Sequence, residues 1–180
     1  MRTATHRAGV IAPEGVARLL AGVRRDNRAL SFEEHMALYG PLELAGGDLV
    51  AAVDASGLRG RGGSGFPTGQ KLAAVAAERG RPVVVVNAAE GEPASGKDRA
   101  LLRLAPHLVL DGAAAAAAAL GARDVVVAVG RSARPEHDEV ARALAARRDG
   151  VRWRLASVPD GFVAEHLVGL SHKAFCQIRP

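Results

Sequence analysis

Arg81 to Asn87 reads RPVVVVN. Four consecutive valines leave no polar face, so the segment suits neither an amphipathic helix nor a half-exposed strand. β-Branched side chains favour extended backbone, and an unbroken apolar run of this length fits a parallel strand covered on both faces. A second such run is Asp124 to Val129, DVVVAV. Between them lies PHLVLDGAAAAAAALGA, Pro106 to Ala122. Its proline suits the first position of a helix, and its alanines allow close packing on a sheet. Strand, crossover helix and strand make the unit from which parallel sheets are built. Pro135 to Arg148 reads as a helix with an exposed basic side. Val151 to Ser157, VRWRLAS, alternates as a more exposed strand should. The expected fold class is α/β, a parallel sheet with flanking helices.

A helical section precedes this sheet. Pro13 to Val23 has Val16, Leu19, Leu20 and Val23 on one face. Ser31-Phe-Glu-Glu34 is a capping box, which predicts a short helix to about Leu38. Leu49 to Val53 and Gly69 to Glu78 read as two further helices. Residues 1–50 are therefore expected to form a helical N-terminal section and 51–170 the α/β domain; 171–180 stay unassigned.

With 180 residues, 48% of them hydrophobic and 24% charged, the chain can bury one ordinary core. Aromatics are only 3%, so that core must be Ala, Val and Leu. A net charge of +5 suits an anionic partner. Scattered arginines and scarce aromatics favour a nucleotide cofactor over nucleic acid, which needs stacking platforms. A basic nucleic-acid module rests on net charge alone. Cys176 is the one cysteine, so no disulfide framework or CxxC metal pair exists. The start lacks a signal-peptide core, and the run Ala113 to Leu120 is too short to span a bilayer. A cytoplasmic location is expected, with no direct membrane insertion.

Ser56 to Lys71, SGLRGRGGSGFPTGQK, holds six glycines among sixteen residues. Gly60 to Gly65 matches GxGxxG, but the preceding GGDLVAAVDASG is more helical than extended, and Phe66-Pro67 delays the next helix. That context does not fit the dinucleotide fingerprint. A Walker A loop is excluded because no GK[ST] follows. The physical content survives: bare N–H groups can converge on an anion, and a helix starting near Thr68 adds its positive end. Arg59, Arg61 and Lys71 supply full charges. The competing reading is a flexible surface loop with solvated arginines.

Asn87-Ala-Ala-Glu-Gly-Glu-Pro93 follows the valine strand directly. Ligands in open α/β sheets sit beyond the carboxyl ends of strands. Asn87 can donate and accept there, and Glu90 and Glu92 can accept from sugar or ribityl hydroxyls. An acidic turn closed by Pro93 is the plainer alternative. The six histidines, His6, His35, His107, His137, His166 and His172, show no ligand spacing and read as structural or solvated. Trp153 reads as a core or sheet residue.

Taken in order, SGLRGRGGSGFPTGQK, VVVNAAEGEP, GKDRALL and PHLVLDG resemble the family of the flavin-bearing, NADH-binding subunit of respiratory complex I, an NADH-quinone oxidoreductase. Related diaphorase subunits of NAD-linked hydrogenases and formate dehydrogenases share them. The resemblance implies a Rossmann-like domain holding FMN and using NAD as its other cofactor. It places Gly60, Arg61, Gly62, Gly63, Lys71, Asn87 and Glu90 on flavin-binding positions. Phe66 falls where the family stacks a ring on the NADH adenine, and Glu92 where it meets the nicotinamide half. The implied chemistry is hydride transfer from NADH to FMN, with other electron-transfer subunits of a complex I-like or diaphorase assembly as partners. Those partners would hold the protein peripherally at the inner membrane face.

Departures are plain as well. Ala89 replaces the family's acidic residue and Leu72 its tryptophan. Phe162-Val-Ala-Glu-His-Leu167 stands where the family has YxxGEE. Set against the family, the chain is expected to be C-terminally truncated and to lack the iron–sulfur domain, since one cysteine cannot supply the four ligands of a [4Fe–4S] cluster. Two readings follow: an FMN-binding domain of an NADH dehydrogenase, or an impaired homologue serving as a flavin-binding or interaction module. No catalytic side chain of its own is expected, because the reactive atoms belong to the cofactors.

Overall fold

The computed structural model describes residues 19, 21–42, 49–60, 65–90 and 95–160, together with the backbone of 175–178. Three helices come first: α1 (Phe32–Tyr39), α2 (Leu49–Ala55) and α3 (Thr68–Ala77). Then follow β1 (Val83–Ala88), α4 (Lys97–Leu104), α5 (Pro106–Leu120), β2 (Asp124–Gly130), α6 (Arg134–Ala145), β3 (Arg152–Val158) and β4 (Phe175–Ile178). The sheet order is β3-β2-β1-β4, with every pairing parallel. Val83 lies opposite Asp124, and Asp124 opposite Arg152.

The chain thus moves outward from β1 through β2 to β3, then returns to the other side of β1. That reversal makes a topological switch point between β1 and β4, the arrangement of a Rossmann-like sheet. The α/β parallel sheet expected from the valine runs is the one observed. Val84, Val86, Val125, Val127 and Val129 pack with Leu110, Ala113, Ala117 and Leu120 of α5 in one core. Alanine at three-residue and four-residue spacing keeps that helix thin enough to lie close on the strands. Only Val83 of the four valines is exposed.

Several details depart from expectation. The helix expected to Val23 has ended in a turn at Ala21–Gly22, and Pro13–Arg18 lie outside the described residues. Gly22 is crowded there, since a Cβ would come within 2.8 Å of Leu30 Cδ1. Helix α6 stops at Ala145 rather than Arg148 because Arg147 turns inward to Asp111 and Asp149. Helix α4 and strand β4 were not expected at all. The α4 sequence KDRALLRL is strongly polar and lacks a side-chain N-cap. Four residues of β4 are too few to show periodicity. The segment Phe162–Leu167 lies outside the described residues.

A buried polar cluster ties α1 to the sheet layer. His35 Nε2 lies 2.7 Å from Asp111 Oδ2, and Arg147 Nη2 donates to Asp111 Oδ1 at 2.8 Å. Arg147 Nε donates to Asp149 Oδ2 at 2.6 Å, and Trp153 Nε1 donates to Asp149 Oδ1 at 2.9 Å. The Arg147 guanidinium also stands against the Phe32 and Trp153 rings. His35 and His107 are buried side by side at this cluster, and Trp153 lies on β3, partly buried against the core. His137 instead sits beside Asp138 on α6, and His6, His166 and His172 lie outside the described residues.

Candidate functional site

The predicted site residues fall into two groups. The first is the neck of the glycine loop. Gly60 N–H donates to the Phe66 carbonyl at 2.9 Å, and Thr68 N–H donates to the Leu58 carbonyl at 2.8 Å. Arg59 pairs with Pro67 in an isolated antiparallel bridge, and Arg59 Nε donates to the Gly65 carbonyl at 2.7 Å. The loop is therefore closed at its base, with Gly65 at φ +51° where a side chain would strain the backbone. Arg61, Gly62 and Gly63 lie outside the described residues.

Helix α3 opens at Thr68, directly after this neck. Its first turn depends on Gly69, where a Cβ would fall 2.4 Å from Asp54 Cα. Bare backbone is needed at Gly69 for α2 and α3 to cross. Further along the same turn, Lys71 Nζ stands 5.8 Å from the centre of the Phe66 ring, and Phe66 is 47% exposed. The next residue, Leu72, is buried with Val84, Val86 and Ala88. Lys71 is thus held on a helix that packs on α2, α5 and β4.

The second group is the end of β1. Asn87 is 6% exposed, and its Oδ1 accepts from the Ala89 N–H at 3.2 Å. That bond fixes which end of the amide is oxygen. The Asn87 amide NH2 has no hydrogen-bond partner among the described residues. That NH2 still reaches the surface at the switch point, where water or a ligand's acceptor atom can take it.

Glu90 has a different environment. Its Oε1 accepts from Lys97 Nζ at 3.0 Å and its Oε2 from the Asp98 N–H at 3.0 Å. Burial alone would raise its pKa, but hydrogen bonds from Lys97, Asp98 and Ser95 outweigh it and hold the carboxyl below its usual range. Glu90 supplies the N-terminal cap that α4 lacks in its own sequence. Glu92 lies outside the described residues. Among the described residues no hydrogen bond joins Lys71 or Phe66 to Asn87 or Glu90.

Sequence reasoning missed a polar belt that continues from α4. Arg99 Nη2 approaches Ser132 Oγ at 3.4 Å, and Ser132 N–H and Oγ both donate to Asp160 Oδ1, at 3.0 and 2.9 Å. The Ser132 main-chain bond, then its hydroxyl, lowers the Asp160 pKa, helped by Arg99 and Arg131 against a small cost of burial. The belt links the loops after β2 and β3 to the helix that Glu90 caps. Its one visible signal was the GKDR stretch, whose three polar residues in sequence pointed to no particular partner.

Residues 53–172 match the Nuo51 FMN-binding domain of the complex I 51-kDa family. The chain belongs to that family. It is 36% identical over 138 residues to the F subunit of the Streptomyces coelicolor NADH-quinone oxidoreductase, covering 76% of this chain and 28% of the relative. Against the F subunit from Rickettsia felis the identity is 40% over 105 residues, 57% of this chain and 25% of the relative. The F subunit from Rhodobacter capsulatus is 49% identical over 77 residues, 42% of this chain and 18% of the relative. The chain therefore spans between about a fifth and about a quarter of these curated relatives. The fold resembles a chain of an NAD+-reducing [NiFe]-hydrogenase in the H2-reduced state, with TM-score 0.59 and 24% identity over 72% of this chain and 28% of that one. No single helix among the described residues is long and apolar enough to cross a membrane.

Proposed function

We propose that this domain seats FMN between the glycine loop and the end of β1, and that it serves an NADH dehydrogenase in which NADH reduces that flavin. One observation carries the reading: the Asn87 amide NH2, without a hydrogen-bond partner among the described residues, reaches the surface at the switch point of a Rossmann-like sheet. The donor set suits the group. Asn87 offers an amide hydrogen to an acceptor on the flavin. Lys71 offers a full charge to its phosphate. Arg61, Gly62 and Gly63 are assigned main-chain N–H groups and a guanidinium around it, and Gly60, whose own N–H is engaged with Phe66, gives the loop room to approach.

Phe66 presents an exposed ring beside Lys71 for an adenine, and Glu92 is assigned to the nicotinamide half. Glu90 has two of its roughly four acceptor positions engaged with α4, which leaves lone pairs for a ribityl hydroxyl. Bound FMN supplies the two-electron acceptor for a hydride. The chain's task is then to orient two rings, exclude water and hold charge near the phosphate. Cys176 provides one thiolate where a four-iron cluster takes four, so the onward acceptor is assigned to partner electron-transfer subunits. Residues 51–170 form the functional unit in this reading, cytoplasmic and brought to the membrane by partner subunits.

Anaerobic mixing of the FMN-loaded chain with NADH tests the chemistry. Bleaching of the oxidised flavin absorbance is the expected result. A chain that retains FMN but is never bleached would instead fit the flavin-binding module without turnover.

A further inference from the structure

The end of the sheet opposite the proposed flavin site carries a different chemistry. The loops leading into β1, β2 and β3 hold Arg79, Arg81, Arg123 and Arg148, and β3 opens on Arg152; all five are exposed, and no lysine lies among them. Parallel register puts them side by side. Val83, Asp124 and Arg152 form one row, and the Arg152 N–H donates to the Arg123 carbonyl at 2.8 Å. Neighbouring strands lie ~4.8 Å apart, so these loops span one short edge.

Few carboxylates answer this charge. Asp124 is paired with Arg152 at 2.6 Å. Asp149 is turned inward to Arg147 and Trp153. Among the described residues Arg79, Arg81 and Arg123 have no ion-pair partner, and the nearest acidic residue in sequence to the first two is Glu78. Beside Arg79 and Arg81 a shallow notch of about 40 Å3, open to solvent, is lined by Val75, Ala76, Pro82 and Leu120, with Glu78 also in its wall. Val83, at the start of β1, is 36% exposed.

We infer that this edge is a docking surface for an acidic protein segment that presents an aliphatic side chain between carboxylates. Arginine is the residue suited to such a face, since its planar fork pairs carboxylates in a bidentate way and is weakly hydrated. Interfaces favour arginine around an apolar anchor and disfavour lysine. The notch takes the aliphatic group and the flanking guanidiniums take the carboxylates. Trp153, on β3 at this edge, has its ring against Arg147 and so offers no open platform to a base, and nucleic acid is kept as an outcome of the test. The surface lies away from Asn87 and Lys71, so the inference stands apart from the flavin reading.

The test titrates the full chain with a synthetic peptide of glutamates around one central leucine, and in parallel with a DNA duplex and with phosphatidylserine vesicles. Saturable peptide binding is expected. It should weaken by roughly tenfold in the Arg79→Glu, Arg81→Glu, Arg123→Glu variant, the scale set by losing three exposed ion pairs. Leucine-to-alanine exchange in the peptide should weaken it as well. If the charge-reversed chain melts early, Arg81→Gln with Arg123→Gln is read in the same titration. Unchanged peptide affinity in a folded variant, or tighter binding to the duplex or vesicles than to the peptide, overturns the inference.

Discussion

The Glu90 carboxylate accepts the Asp98 main-chain N–H at 3.0 Å and so caps α4 from outside that helix. The loop after β1 and the start of α4 are held together by this one side chain. Removing it uncovers a helix N-terminus whose own cap position is Gly96. Glu90→Ala should therefore cost about 1–2 kcal/mol in urea unfolding, the range of a lost N-cap. Glu90→Gln keeps an acceptor for Asp98 and should lose less, because the 47% exposed Lys97 makes a solvent-screened pair. Equal losses in both variants would show that the cap is not the source of the stability.

Gly69 and Asp54 give a second prediction. A methyl at Gly69 would meet backbone rather than a yielding side chain. Gly69→Ala should destabilise by about 1–3 kcal/mol, the cost of overpacking, despite alanine's better helix propensity. A more stable variant would mean that α2 and α3 do not cross as closely as described.

Acid should act in two separate windows. Burial above all, then His35 and Arg147, push the His107 pKa from 6.5 down to about 4, with Asp111 opposing. The unfolded state then binds more protons than the native state between those values, so stability rises with pH there. Its contribution is full above about pH 6.5 and falls away toward pH 4, by at most ~3 kcal/mol at 1.36 kcal/mol per unit. Asp111 and Asp149 titrate lower. Burial would raise both, yet His35 and Arg147 outweigh it for Asp111, and Trp153 and Arg147 for Asp149. Their contribution is present above the ordinary Asp range and is lost only as pH falls below it. His107→Phe should remove the first window and leave the second; stability curves measured against pH will show whether it does.

Arg147 is 3% exposed at its side chain and serves two carboxylates. Arg147→Met should cost about 3–5 kcal/mol, since it leaves Asp111 and Asp149 buried without their shared cation. Guanidinium chloride unfolding checks this. A loss below about 1 kcal/mol would place the network among weak surface pairs.

Much of the sheet was legible because four valines and DVVVAV admit little besides buried strand. The alanine tract and Pro106 likewise fixed α5. The capping box located α1 because Ser31 and Glu34 satisfy each other's main-chain donors locally. What stayed hidden depends on distant partners. Helix α4 takes its cap from Glu90, eight residues away, and β4 takes its identity from pairing with β1. Of the candidate site, Asn87 and Lys71 are proposals made from residue type and place in the chain. That Glu90 would face α4, and that Lys71 would lie over Phe66, needed coordinates.

The central claim is that Asn87 and Lys71 hold FMN at the switch point beside β1. Quenching of FMN fluorescence on titration with the chain tests it most directly. The expected result is a saturable, one-to-one curve that weakens about tenfold in Asn87→Ala, where a hydrogen-bond donor to the ligand is lost, and weakens again in Lys71→Ala. Absence of quenching by the folded chain, or equal affinity in wild type and both variants, would contradict the account.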